Sequence, residues 1–284
     1  MYLIYKCSSA TINNKEGFEI NQDERYIFKN KDIYDDFYVS IYDILVEDPK
    51  KVEGEVSNMI EATKMNKDSK ILDVGSGTGH HVGYMDSLGL NVVGLDRSGS
   101  MITESKEIYP NAKFIQGNSG DSFQFSSNEF THISCLYFTL YYMKDKKHFF
   151  ENCNNWLKDN GYLILHLVDK YNFDPIINAG DPMHIINPQD YVDKRIESSV
   201  VEFDEFSYKS KFTILEHSNV AKFTETFKFK ESGRVRENEH ILYMERQNEI
   251  IKMVESTGFV YKNRIDLAEI GYESQFLYVF QNNK

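Results

Sequence analysis

Apolar positions first recur with a helical period over residues 32–46, where Tyr34, Tyr38 and Tyr42 stand at i, i+4 and i+8 with Ile41 and Leu45 close to the same face. The spacing predicts a helix closed by Pro49. A second amphipathic helix follows over "KKVEGEVSNMIEATK", with Val52, Val56, Met59, Ile60 and Thr63 turned inward. The first 30 residues are polar and weakly patterned, and "TINNKEGFEINQDER" reads as loop or a loosely packed arm.

From residue 70 short apolar runs alternate with helical patterns. "KILDVG", "NVVGLD", "AKFIQGN", "THISCLYFTL" and "YLILHLVD" read as strands, while "GHHVGYMDSLG", "SGSMITESKEIYP" and "DKKHFFENCNNWLKDNG" read as helices, the first and last stopped by glycine. Apolar strands separated by helices require a mostly parallel sheet covered on both faces, a doubly wound α/β domain. After Asp169 the rhythm changes. "DPIINAGDPMHIINPQD" is loop-like, and residues 198–244 alternate with period two around a turn at Ser232-Gly233, which predicts an antiparallel insert. "RQNEIIKMVESTG" then reads as a helix, and "FVYKNRIDL" and "SQFLYVFQN" as the strands that complete a seven-stranded sheet.

Composition narrows the class. With 284 residues and 41% hydrophobic content the chain can bury a full core. Lys and Arg number 32 against 44 Asp and Glu, a net charge of −12 that opposes binding to nucleic acid, whose phosphates need cationic contacts. Cys7, Cys135 and Cys153 show no metal-ligand spacing, no signal-peptide pattern is visible, and no apolar run reaches the about 18 residues of a membrane span. The expectation is a soluble cytoplasmic protein, a monomer or homodimer, away from membranes and without a metal.

The stretch "KILDVGSGTGHH" carries the first candidate chemistry. Gly75, Gly77 and Gly79 would let a ligand approach the backbone at a helix N-terminus, and Asp96 ends the second strand where a carboxylate can accept both hydroxyls of a ribose. Two nucleoside cofactors suit such a turn, a dinucleotide and S-adenosylmethionine. His80 occupies the place where the dinucleotide fingerprint wants a small residue, and Asp73 would repel a pyrophosphate but could bond an ammonium.

The ordered segments "ILDVGSGTGHH", "VVGLDRSGSMI", "FIQGN" and "YLILHLVD" resemble the successive motifs of class I S-adenosylmethionine-dependent methyltransferases, over residues 68–169 with a return at 246–281. The resemblance implies a Rossmann-like sheet and S-adenosyl-L-methionine as cofactor. It implies that the turn from Asp73 to Gly79 holds the methionine part, Asp96 the ribose, Arg97 and Met101 the flanks of the adenine, and Asn118 with the backbone of Ser119 the adenine amino group. Leu136 and Tyr137 fall where the family lines the methyl-donor end. The "FYVSIYDIL" helix resembles that of small-molecule members such as glycine and amino-sugar N-methyltransferases, which assigns Tyr34 and Tyr42 to closure over the donor. The implied organisation is an arm with helices at 1–66, the donor-binding core at 67–170, a substrate-binding insert at 171–245 that caps the site, and the end of the core sheet at 246–284.

Methyl transfer from a sulfonium needs alignment and dryness more than a strong base. Tyr137, Tyr141 and His166 are the candidate catalytic groups. Tyr38, His184, Arg234, Arg236 and His240 are the candidate acceptor contacts, the arginine pair because it could fork onto a carboxylate or phosphate. The acceptor is expected to be a small molecule methylated at an amine nitrogen, a preference resting on resemblance. A protein or RNA acceptor, and a non-catalytic binding protein of the same fold, are the competing readings.

Overall fold

The computed structural model describes residues 25–175, 195–215 and 218–284 and the backbone of 4–6. Strands β1 (Ile4–Lys6) and β2 (Arg25–Lys29) lead into helices α1 (Asp36–Val46) and α2 (Pro49–Thr63). There follow β3 (Lys70–Val74), α3 (His80–Ser87), β4 (Asn91–Asp96), α4 (Gly99–Ile108), β5 (Lys113–Gln116), β6 (Phe130–Cys135), α5 (Lys146–Trp156) and β7 (Leu157–Val168). Next come β8 (Ser198–Glu202), β9 (Phe206–Ile214), β10 (Val220–Phe229) and β11 (Val235–Tyr243), then α6 (Gln247–Glu255), β12 (Phe259–Asp266) and β13 (Gln275–Asn282). The chain divides into two compact units, Met1–Glu47 with Asp174–Leu242, and Asp48–Phe173 with Tyr243–Lys284.

The second unit is the doubly wound domain. Its seven strands run in the order β12-β13-β7-β6-β3-β4-β5, with β13 antiparallel to both neighbours and the pairs from β7 to β5 parallel. Val56 and Met59 of α2 and Val82 and Met85 of α3 pack on Ile71, Ile164, Leu277 and Val279 of the sheet. Each such side chain contributes roughly 1.5–3 kcal/mol by leaving water. Pro49 does more than close α1: it is the first residue of α2, and Asp48 caps that helix by accepting the Lys50 and Lys51 N–H groups at 3.0 and 3.3 Å. Helix α5 stops at Trp156, short of the expected glycine stop. Its last carbonyls, Asn155 and Trp156, accept the N–H groups of Asn128 and Glu129, and Leu157 then pairs with Phe130 as β7 begins.

The first unit is a six-stranded sheet in the order β1-β8-β9-β10-β11-β2. It is mixed rather than purely antiparallel, because β1 lies parallel to β8 and β2 parallel to β11. The N-terminal stretch expected as loop therefore supplies two edge strands of three and five residues, each paired on one side only, which hides them from a pattern search. Asp35 caps α1 by accepting the Tyr38 N–H at 3.0 Å, so Tyr34 precedes the helix instead of riding on it. Tyr38, Ile41 and Leu45 pack on Val201, Phe206, Tyr208 and Phe227. That packing groups residues up to 47 with the insert, and the boundary expected near 66 falls at 47/48. The expected contact His184 lies outside the described residues.

Candidate functional site

In the doubly wound unit the glycine turn follows β3 directly. Gly75, Gly77 and Gly79 all have φ in the left-handed region, +73°, +56° and +92°. A Cβ on Gly75 would meet Thr139 at 2.3 Å, so the fold itself demands these glycines. The N–H groups of Gly75 and Ser76 bond the Leu95 carbonyl at 2.7 and 3.1 Å, which ties the turn to the end of β4. Asp96 adds a second tie: Oδ2 accepts the Gly77 N–H at 3.0 Å and Oδ1 the Ser98 N–H at 2.9 Å. Burial pushes the Asp96 carboxyl up from the ordinary range, opposed by those two N–H groups. A carboxylate has about four acceptor sites. The Arg97 N–H adds a third bond, and the acceptor capacity left over suits a ribose hydroxyl. Ser76 Oγ is buried and without a hydrogen-bond partner, a further polar atom that a ligand at this turn would satisfy.

Around that turn, Asp73 is buried in β3 and accepts the Ser134 hydroxyl at 2.7 Å. Burial raises its carboxyl to about 6, against the nearby charge of His81 and the Ser134 bond. Arg97 is exposed, and Met101 is buried in the first turn of α4. Asn118 is exposed, its Oδ1 accepting the Gly120 N–H at 3.0 Å, while the Ser119 carbonyl accepts from Asn152 Nδ2 at 2.9 Å. Leu136 is buried just past β6, and Tyr137 follows at φ +49°, a strained conformation for a bulky residue.

Two expected catalytic groups are core. Tyr141 is fully buried in a single 3-10 turn, and its hydroxyl accepts the Val168 N–H at 2.9 Å. Burial drives its pKa far above the ordinary value. His166 is 1% exposed under α2, and burial together with the Lys51 charge pushes its imidazole down to about 3. It is neutral, with the Gln275 side chain as its hydrogen-bonding neighbour.

Beside His166 stand two charged residues of α2 that are absent from the expected inward set. Lys51 and Glu55 are 7% and 1% exposed. The Lys51 Nζ stands 4.0 Å from the Tyr272 ring centroid and 4.9 Å from that of Tyr137, with a 3.4 Å bond to Gln275 Oε1. Glu55 Oε2 holds His81 Nε2 at 2.7 Å, and Oε1 lies 3.8 Å from His166 Nδ1 without a hydrogen-bond partner. Burial pushes the Glu55 carboxyl up, but Lys51 and the His81 bond outweigh it and bring it to about 2. A signal was present: Lys51 and Glu55 continue the i, i+4 row that Met59 and Thr63 turn inward.

In the first unit, Tyr34, Tyr38 and Tyr42 meet edge-to-face with centroids 5.6–6.2 Å apart, and His240 lies 6.3 Å from Tyr34. Tyr38 and His240 are buried and His240 Nε2 bonds Glu225 Oε2 at 2.8 Å, so both serve the interior of this unit. The expected Arg234–Arg236 fork is not formed. Arg236 is buried and spends its guanidinium on Asp35, Ile33 and Asn238, because it sits on the inward row of β11. Arg234 stands before the strand, half exposed.

Residues 72–165 match the family model described as "Methyltransferase domain". A phosphoethanolamine N-methyltransferase from Plasmodium falciparum (isolate 3D7) is 28% identical over 160 residues, 51% of this chain and 57% of that protein, so the chain matches little more than half of that relative's length. The structure of an S-adenosylmethionine-dependent methyltransferase from Clostridium acetobutylicum ATCC 824 is similar at a TM-score of 0.66 and 16% identity, covering 87% of this chain and 98% of that one. A sugar N-methyltransferase from Streptoalloteichus sp ATCC 53650 is similar at 0.61 and 16%, covering 97% and 100%. No helix among the described residues is long and apolar enough to cross a membrane. The glycine turn, Asp96 and the parallel strands β3 to β7 fall on the stretch that the family model matches, and the domain built around residues 72–165 is a class I S-adenosylmethionine-dependent methyltransferase domain.

Proposed function

We propose that the chain transfers a methyl group from S-adenosylmethionine to the amine nitrogen of a small molecule. The observation that carries the donor half is Asp96, fixed by backbone N–H groups beside the glycine turn with acceptor capacity to spare. The bound donor supplies a methyl carbon made electrophilic by its sulfonium. On this reading the Asp73–Gly79 turn receives the methionine part, Asp96 the ribose, Arg97 and Met101 the adenine flanks, and Asn118 and Ser119 its amino edge. Leu136 and Tyr137 line the donor's methyl end and keep water from it. Tyr34 and Tyr42 take the closing role that the resemblance implies.

The acceptor half is supported by the similar proteins, two of which are named as N-methyltransferases of phosphoethanolamine and of a sugar. An amine attacks only when neutral, and burial of its surroundings favours that form. The reading includes a reducing cytosolic setting, in keeping with free thiols at Cys135 and Cys153, and a monomer or homodimer. The net charge of −12 favours a second reading, a basic peptide as acceptor.

The test is incubation with methyl-labelled donor and a cell extract separated into small-molecule, protein and RNA pools. Label in the small-molecule pool, released as a methylamine, is the expected result; label in protein selects the second reading, and label in RNA removes both. Asp96→Ala should weaken donor binding by about 1–3 kcal/mol, the worth of charge-assisted hydrogen bonds. Calorimetry with a folded variant of unchanged affinity would take Asp96 out of the site.

A further inference from the structure

Lys51 is a buried ammonium with little to hold. Its three donors make one long hydrogen bond, to Gln275, and two tyrosine faces flank it. One of those rings, Tyr137, is aimed by a backbone in the left-handed region, and the other, Tyr272, is fixed by its hydroxyl on Asp48 Oδ2. A buried charge without a counterion at ion-pair distance costs several kcal/mol in general, a cost that a bound ion of opposite sign would relieve. Next to it stand Glu55 Oε1, buried and without a hydrogen-bond partner, and the buried imidazole of His166. This is a polar recess at the carboxyl end of β6 and β7, where His166 follows Leu165, the partner of Cys135.

We propose that Lys51 holds an oxyanion in this recess and that Glu55, one turn along α2, is the positioning residue that keeps its ammonium charged. The assignment rests on the donor reading above for its ligand, since the oxyanion is the carboxylate at the amino-acid end of the donor or an acid group of the acceptor. Burial pulls the Lys51 pKa down, and the negative charges of Glu55 and Asp48 hold it up. Tyr137, Tyr272, Gln275 and the neutral His166 complete its surroundings and contribute no negative charge at neutral pH. Glu55 is in turn held ionised by Lys51 and His81. His81 reaches toward solvent, 19% exposed at its side chain, and anchors the carboxylate from α3.

The experiment is calorimetric binding of S-adenosylhomocysteine, of 5′-methylthioadenosine, which lacks the amino-acid end, and of phosphoethanolamine. Lys51→Met should weaken S-adenosylhomocysteine about 30-fold, the scale of a charge-assisted bond, and leave 5′-methylthioadenosine unchanged. A loss confined to phosphoethanolamine keeps the site and transfers the oxyanion to the acceptor. No loss on either acid overturns the site. Glu55→Gln, measured with whichever acid responds, should match wild type at pH 6.5 and fall about 10-fold behind it by pH 8.5 as the unsupported lysine loses its proton. Adding Lys51→Arg, whose guanidinium stays charged, should abolish that slope. A loss in Glu55→Gln of equal size at both pH values, or none, overturns the positioning role. Wild-type protein that binds neither nucleoside removes the donor reading itself, a result distinct from a Lys51 variant that binds as well as wild type.

Discussion

The two units each bury a cluster of charged groups, and the clusters are built to opposite specifications. In the mixed sheet every polar atom of the cluster is engaged. Glu225, fully buried, accepts Tyr208 Oη at 2.9 Å on one oxygen and His240 Nε2 and Asn238 Nδ2 at 2.8 and 3.2 Å on the other. Arg236 donates to both Asp35 oxygens at 2.9 and 2.8 Å, to the Ile33 carbonyl and to Asn238 Oδ1, with its guanidinium over Phe28. Beneath α2 of the doubly wound unit, Glu55 keeps one oxygen idle beside the buried His166. A closed network fixes strand register and the entry to α1; an open one carries unsatisfied cost that a ligand can relieve. The same residue types thus mark architecture in one place and a site in the other.

The largest expected effect breaks the closed cluster. Arg236→Ala leaves the buried Asn238 Oδ1 and the Ile33 carbonyl without their donor and removes the ion pair to Asp35, whose side chain is 39% exposed and keeps the Tyr38 N–H, a cost of about 3 kcal/mol. Chemical denaturation of wild type and variant measures it. Lys51→Met, the matching change in the open cluster, should leave stability level or raised, since it replaces a poorly bonded buried ammonium by an apolar chain of similar length. Equal losses in the two variants would erase the distinction between the clusters.

Much of the doubly wound unit was legible from the chain, and for a physical reason. Strands such as β3 and β4 are buried on both faces and read as continuous apolar runs, and the glycine turn and Asp96 announce themselves by type and spacing. What stayed hidden depends on contacts from far along the chain. Arg236 looks like a solvated strand residue until Asp35, 201 positions away, closes on it. Lys51 and Glu55 look like a solvent-facing pair until Gln275, 224 positions from Lys51, covers them. Edge strands β1 and β2 lack the two-sided burial that makes a strand visible in sequence.

A smaller effect sharpens the open cluster through pH. His166 is pushed to about 3, below the ordinary unfolded value near 6.5, so its neutral form supports the fold fully above pH 6.5 and that support is lost as pH falls toward 3. Between pH 6.5 and 5 the loss is about 2 kcal/mol. Asp73, raised to about 6, works in the opposite sense, gaining stability as pH falls through 6 toward 3.8. It does so in both proteins and cancels in a difference. His166→Leu removes the buried imidazole and the titration with it. Its stability advantage over wild type should therefore widen by about 2 kcal/mol from pH 7 to pH 5 in urea melts. Parallel profiles would mean that His166 finds partners on its own.

The smallest effect separates Tyr141 from the chemistry. Its hydroxyl is a buried acceptor for the Val168 N–H, one strand position pair beyond His166, and it remains protonated because burial lifts its pKa far out of the working range. Tyr141→Phe keeps the ring and leaves that N–H unpaired, a cost of about 1–2 kcal/mol. A fully buried hydroxyl bound to the backbone of β7 serves the strand, so turnover of labelled donor should stay within about twofold of wild type, less than the tenfold of 1.4 kcal/mol. Stability lost with turnover kept would place Tyr141 with Glu225 among groups that complete the architecture. Turnover lost in a variant that melts like wild type would move it to the open cluster, and the idle atoms there would then have a working neighbour in the 3-10 turn after β6.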